Sequence, residues 1–198
     1  MPTVTIYIAP RNTPSLGADG VVIDASSVGH MWYVIEDGSG QSYSFGFAPN
    51  QENQGKGFAP GKVYTHDLAH YAYSSTTHRV EISSEQFLSL QAFGLNPLAF
   101  GFSSFYNGLN NSCIDFTWRA LEVAGLNPSG FQGWVWPIHN ETWVRRVDTS
   151  GVITYMQVDE ITGESYVNQS IPDGGSDRWQ YSIRELAEMT LDESDRWG

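Results

Sequence analysis

Residues 30–47, HMWYVIEDGSGQSYSFGF, constrain the fold more than any other stretch. Aromatic and β-branched residues lie on both sides of an Asp-Gly-Ser-Gly turn, the pattern of two antiparallel strands joined in a hairpin. Residues 3–9, TVTIYIA, read as a further strand of the same kind, and so does HRVEI at 78–82. VVIDASSVG, at 21–29, holds a short strand between turn residues. Residues 11–20 and 48–62 are rich in Gly, Pro and Asn and read as loops.

Two helices stand between the strands. The first opens at Ser83, with Gln86 three residues on to complete a capping box, and runs through SEQFLSLQAF to Gly94. The second opens at Ser112, an N-cap residue, with Asp115 at the third helical position, and CIDFTWRALEVA runs to Gly125. Both end in the letters GLNP, at 94–97 and 125–128, read as one stop signal used twice, with a left-handed Gly and a Pro that ends the helix. After SGFQGWVWPIHN, a β-meander is expected from TWVRRVD, GVITYMQVD and ESYVNQS. A last helix, SIRELAEMT, starts at Ser182 with Glu185 in the capping-box position. Strands at the two ends with helices between them give an α+β chain. No stretch reads as a linker, so residues 1–198 are taken as a single domain.

Charge narrows the function. Asp and Glu number 22 against 10 Lys and Arg, a formal net charge of −12, which repels nucleic-acid backbones and anionic lipid surfaces. No apolar run approaches the ~20 residues that span a bilayer. The first residues, MPTVTIYIAPRN, have no basic, apolar leader pattern and read as a strand rather than a signal peptide. A single cysteine excludes an internal disulfide.

That cysteine, Cys113, is the first residue of the second helix. Unpaired backbone N–H groups and the positive end of the helix dipole surround it there, a setting that favours a thiolate. The same N–H groups can hold a developing oxyanion, with Asn110, Asn111 and Ser112 as supporting donors. A nucleophilic thiol needs a base. Of five histidines, His30 stands out because it follows Gly29 and opens an aromatic strand that would hold its ring rigidly. His66 and His70 form HDLAH, but Asp67 departs from the zinc-protease pattern, which needs Glu there, and no metal is expected. Trp32, Tyr43, Trp134, Trp136 and His139 are candidates to line a substrate groove, although tryptophans in such numbers also build cores.

Taken together, the GH-aromatic strand, the Gly-turned strand ending SYSFGF, and the later NNSCIDFTWRALEVAGL resemble the circularly permuted NlpC/P60 branch of the papain-like cysteine hydrolases. In that branch the His-bearing strand precedes the Cys-bearing helix. PGKVYTHDLAHY, HRVEISSEQF and FYNGLNNSC are in addition similar to type VI secretion effectors of this fold. The resemblance covers about residues 28–127 and leaves 142–198, the meander and last helix, as an elaboration. It implies a papain-like fold with a central antiparallel sheet, Cys113 as nucleophile and His30 as general base. The family's third, ring-orienting residue lies on the strand after the His, where this chain offers Gln41, Ser42 or Ser44, with Asp24 as a further candidate. The resemblance also implies hydrolysis of peptidoglycan peptides by an amidase or endopeptidase that uses no cofactor. Such a protein is made in the cytoplasm and delivered by a secretion-machine carrier into a rival's periplasm, and a cognate immunity protein opposes it.

Two other readings compete. The same dyad serves lipid esterases and acyltransferases of the permuted arrangement, against which the acidic charge and missing amphipathic segment count. Alternatively Cys113 is packed and inert, and the tryptophans belong to a sugar- or peptide-binding module.

Overall fold

The computed structural model describes residues 1–17, 19–71, 73–147, 155–158 and 165–168. Six strands form one antiparallel sheet: β1 (Thr3–Ala9), β4 (His30–Glu36), β5 (Ser42–Pro49), β6 (Phe58–Tyr64), β7 (Thr76–Glu81) and β8 (Phe105–Asn107), in the spatial order β7-β1-β4-β5-β6-β8. The expected hairpin is β4–β5, and β1 fills the place beside it with Ala9 opposite His30. A small ribbon of β2 (Pro14–Leu16) and β3 (Val22–Ala25) occupies the connection between β1 and β4.

Strand alternation sorts side chains onto two faces. On one, Val4, Ile6, Ile8, Met31, Tyr33 and Ile35 join a core with α2 (Ser84–Leu95) and α3 (Cys113–Val123). Phe93, Phe116, Trp118 and Leu121 of the two helices are fully buried in it. The Tyr33 hydroxyl satisfies itself there by donating to the Leu90 carbonyl at 2.9 Å. On the other face, Ala9, Trp32 and Val34 make a smaller cluster under Tyr7 and Tyr71. The one-turn helix α1 (Asp67–His70) follows β6.

Several details differ from the sequence reading. Within 48–62, β6 begins at Phe58 despite Pro60 and Gly61, and β8 appears in a stretch with no strand signal; it is three residues long and owes its place to pairing with β6. The two GLNP stops are not equivalent. Gly125 is left-handed, with φ 71°, and Leu126 folds back fully buried, its N–H donating to the Leu121 carbonyl at 2.8 Å. Gly94 lies inside α2, where a Cβ would stand 2.5 Å from the Phe45 ring, and Leu95 is exposed. TWVRRVD is not a strand: residues Glu141–Val144 form the short helix α4 after a 3-10 turn at Pro137–Asn140. Buried Asn140 explains this local choice. Its Oδ1 accepts from Trp118 Nε1 and the Trp134 N–H, and its Nδ2 donates to the Trp134 and Trp136 carbonyls, so the chain is wound around one amide. The rest of the meander is present as the antiparallel pair β9 (Tyr155–Val158) and β10 (Ser165–Asn168). The helix expected from Ser182 lies outside the described residues.

Candidate active site

Cys113 is the first residue of α3, as its N-cap signal implied. Ser112 Oγ accepts from the Ile114 N–H at 3.2 Å, while the Asp115 carboxylate accepts from the Ser112 N–H at 2.8 Å and its hydroxyl at 2.7 Å. These bonds use neighbouring donors, and the Cys113 N–H stands in the first turn, where a helix has no acceptor of its own to offer. Thr117, one turn along, stands close to two carbonyls: its hydroxyl is 3.0 Å from the Cys113 carbonyl oxygen and 3.4 Å from that of Met31. Because Met31 adjoins His30, this hydroxyl ties the start of α3 to the start of β4.

His30 and Cys113 are brought together, close enough for the cysteine to raise the pKa of the imidazole. Each is only 3% exposed. His30 Nε2 lies 3.3 Å from Asp67 Oδ1, and both side chains are almost wholly buried. That separation is longer than the ~2.8 Å of an aligned charge-assisted bond, and the N–H is off line, so the contact is an ion pair rather than a well-made hydrogen bond. Apo sites commonly show such loose geometry before substrate tightens it.

The electrostatics follow from these neighbours. Burial pushes the His30 imidazole down, but hydrogen bonding and charge from Asp67, and then from Cys113, outweigh it and raise its pKa from 6.5 to about 10. The ring is therefore an imidazolium at neutral pH. Tyr106, buried on β8, has its phenol pushed well above 10 by burial and by the charges of Cys113 and Asp115, so it stays neutral.

Asp67 is the residue that sequence reasoning missed. In the sequence it stands only within HDLAH, whereas the resemblance points to the strand after His30 for the ring-orienting role. The register of that strand places its candidates away from the imidazole. Ser44 faces Val34 and Ser42 faces Glu36, four and six residues along β4 from His30, roughly 13 and 20 Å away at the strand rise. Gln41 is exposed in the turn, its carbonyl accepting from the Asp37 N–H. Asp24 is exposed on β3, where its carboxylate accepts from the adjacent Ala25 N–H. The residue of β5 nearest the imidazole is Gly46, opposite Trp32. A Cβ there would collide with the Asp67 carboxylate and lie 2.7 Å from His30 Nε2. A glycine inside a strand marks a close approach, and SYSFGF carried that signal.

The remaining candidates are dispersed. Asn111 is not a free donor, because its amide braces the preceding loop through the Ser103 and Phe105 carbonyls at 3.0 and 2.7 Å. Asn110 is exposed beside it. Trp32 is interior, stacked on His30 rather than lining a groove, and Tyr43 packs edge-on against Phe87 at the core margin. Trp134 also packs against the core. Trp136 has Arg11 over its ring at 5.6 Å, which places it beyond the end of β1 where Ala9 faces His30, and His139 is exposed nearby in the chain. His70 Nδ1 is 3.0 Å from the Leu16 carbonyl oxygen.

Chemically, the row can move a proton from the thiol to the imidazole, hold the resulting ion pair against a carboxylate, and offer one backbone N–H to an oxygen that gains charge beside the sulfur. Comparison with protein-family models, with curated proteins and with solved structures finds no match for this chain.

Proposed function

We propose that this chain is a cysteine hydrolase of the papain-like, permuted NlpC/P60 type that cleaves amide bonds of peptidoglycan peptides. One observation carries the reading: the only cysteine, at the first position of a capped helix, shares a buried imidazole with a buried carboxylate. The order of His strand before Cys helix and the antiparallel sheet between them support the same type.

The reaction follows from the row. The Cys113 thiolate attacks the amide carbonyl carbon, and the Cys113 N–H stabilises the oxyanion. As the C–N bond breaks, the His30 imidazolium gives its proton to the leaving amine, and a thioester remains. His30, now neutral, takes a proton from water as the water attacks the thioester. Collapse of that adduct releases the carboxylic acid and restores the thiolate–imidazolium pair. Asp67 orients the imidazole and stabilises its cation throughout. Delivery into a rival's periplasm through a secretion-machine carrier, with an immunity protein as opponent, belongs to the same reading.

A second reading is favoured by the 3% exposure of Cys113 and its place in the core cluster. In it the thiol is packed and the chain is a binding module. Digestion of purified peptidoglycan by the wild type, Cys113→Ala and His30→Ala, with fragments identified by mass spectrometry, tests both. Fragments released by the wild type alone are the expected result, and their masses name the bond. If nothing is cut while Cys113 still reacts fast with an alkylating agent, peptidoglycan is the wrong substrate. If nothing is cut and the thiol is inert, the hydrolase reading falls.

A further inference from the structure

The segment Asp67 to Tyr71 meets one imidazole twice. Asp67 opens α1 and sets its carboxylate at the ring edge. Tyr71 follows α1 directly, four residues on, and lays its own ring against the face of His30, with centroids 4.9 Å apart and planes 21° apart. One helical turn separates the two residues, and that spacing returns side chains to the same side.

Tyr71 is itself held from several directions. Its N–H donates to the Asp67 carbonyl at 3.0 Å, and its backbone bridges to Ser15 of β2. Its ring stacks on Trp32 at 5.2 Å and 23°, and meets the His70 ring edge-on at 5.2 Å and 87°. Trp32 in turn stacks on His30 at 5.7 Å and on Tyr7 at 5.1 Å.

We propose that Tyr71 is a positioning residue for His30, holding the plane of the imidazole so that its edges stay directed at Cys113 and Asp67. The proposal rests on His30 being the base of the row. Edge contacts alone leave a ring free to swing about its side-chain torsion, and the 3.3 Å contact with Asp67 is too loose to prevent this. A ring face restricts the motion that the edge contacts permit. It also attracts the imidazolium and keeps water from it. The Tyr71 phenol remains neutral, since burial and then the charges of Asp67 and Cys113 hold its pKa well above 10. The groups that face the imidazole are thus the Asp67 carboxylate from α1, the Cys113 sulfur from α3, the Trp32 ring from β4 and the neutral Tyr71 ring.

The test follows the His30 ring carbon resonance against pH, with the alkylation rate of Cys113 at pH 7, in the wild type and in Tyr71→Phe, Tyr71→Leu and Tyr71→Met. Tyr71→Phe keeps the ring, and both readouts should stay at wild-type values. Leu and Met remove it; each should lower the His30 midpoint by about one unit and slow alkylation several-fold. Met fills the space flexibly and serves if Leu costs the fold. A wild-type midpoint and rate in the aliphatic variants would overturn the proposal. So would a Phe variant that moves as far as Leu, because the hydroxyl would then be responsible. Neither readout needs a substrate. If the midpoints shift as stated while Cys113 is inert in every chain, Tyr71 still holds the imidazole, but the hydrolase reading fails and the positioning of a catalytic base fails with it.

Discussion

Replacing Asp67 by Asn tests the ion pair that organises the site, and the structure sets the size of the effect. The carboxylate oxygen stands 3.3 Å from His30 Nε2. At an effective dielectric constant of about 20, unit charges at that distance interact by roughly 5 kcal/mol, or about 3–4 pKa units. The rise of the His30 pKa from 6.5 to about 10 has the same magnitude. Asparagine keeps the shape and one acceptor but removes the charge, while burial continues to push the imidazole down. The His30 midpoint should therefore fall by roughly 3–4 units, to about the ordinary histidine value. The measurement is the pH titration of the His30 ring resonance, carried out in a Cys113→Ala background so that the thiolate does not contribute. A midpoint within about half a unit of the Asp67 parent would refute the reasoning, since ring stacking would then hold the cation against burial without the carboxylate.

Three further outcomes are expected. Gly46→Ala forces a methyl group between Asp67 and His30, where the Cβ would lie 2.7 Å from Nε2; it should part the pair, lower the His30 midpoint and cost about 1–3 kcal/mol in urea denaturation. Asn140→Ala deletes four hydrogen bonds around a fully buried amide and strands the Trp118 N–H; it should cost at least roughly 3 kcal/mol, and a loss below ~1 kcal/mol would show that the amide does not organise this segment. The stability contributed by His30 follows from its raised pKa: it is fully present below 6.5 and is lost as pH rises through about 10. Thermal denaturation should accordingly show the wild type losing stability between these values, and His30→Gln should flatten the curve over that window.

Much of this arrangement was legible in the residues themselves. The alternation in residues 3–9 and 30–47 announced β1 and the β4–β5 hairpin, and the capping box at Ser83 and the N-cap at Ser112 located the starts of α2 and α3 to the residue. Local signals sufficed because the side chains that cap a helix or alternate along a strand lie within a few positions of one another. Asp67 was hidden for the opposite reason. It meets His30 across 37 positions of chain (67 minus 30), through the path of β5 and β6, and no short motif encodes that path. Gly46 was the available clue. The helical turn at Glu141–Val144 was missed because TWVRRV alternates like a strand, while its conformation is set by the tertiary bonds of Asn140. Of the two GLNP stops, one ends its helix with a left-handed glycine, whereas in the other packing against Phe45 decides the glycine.

The central claim is that Cys113 and His30 act as one activated pair. The most direct test is the rate at which iodoacetamide alkylates Cys113 in the native protein at pH 7, compared between the wild type and His30→Gln by intact mass. The account predicts fast single-site modification in the wild type and a rate lower by at least about tenfold in the variant. Equal rates in the two proteins, or a native thiol that reacts only after unfolding, would contradict it.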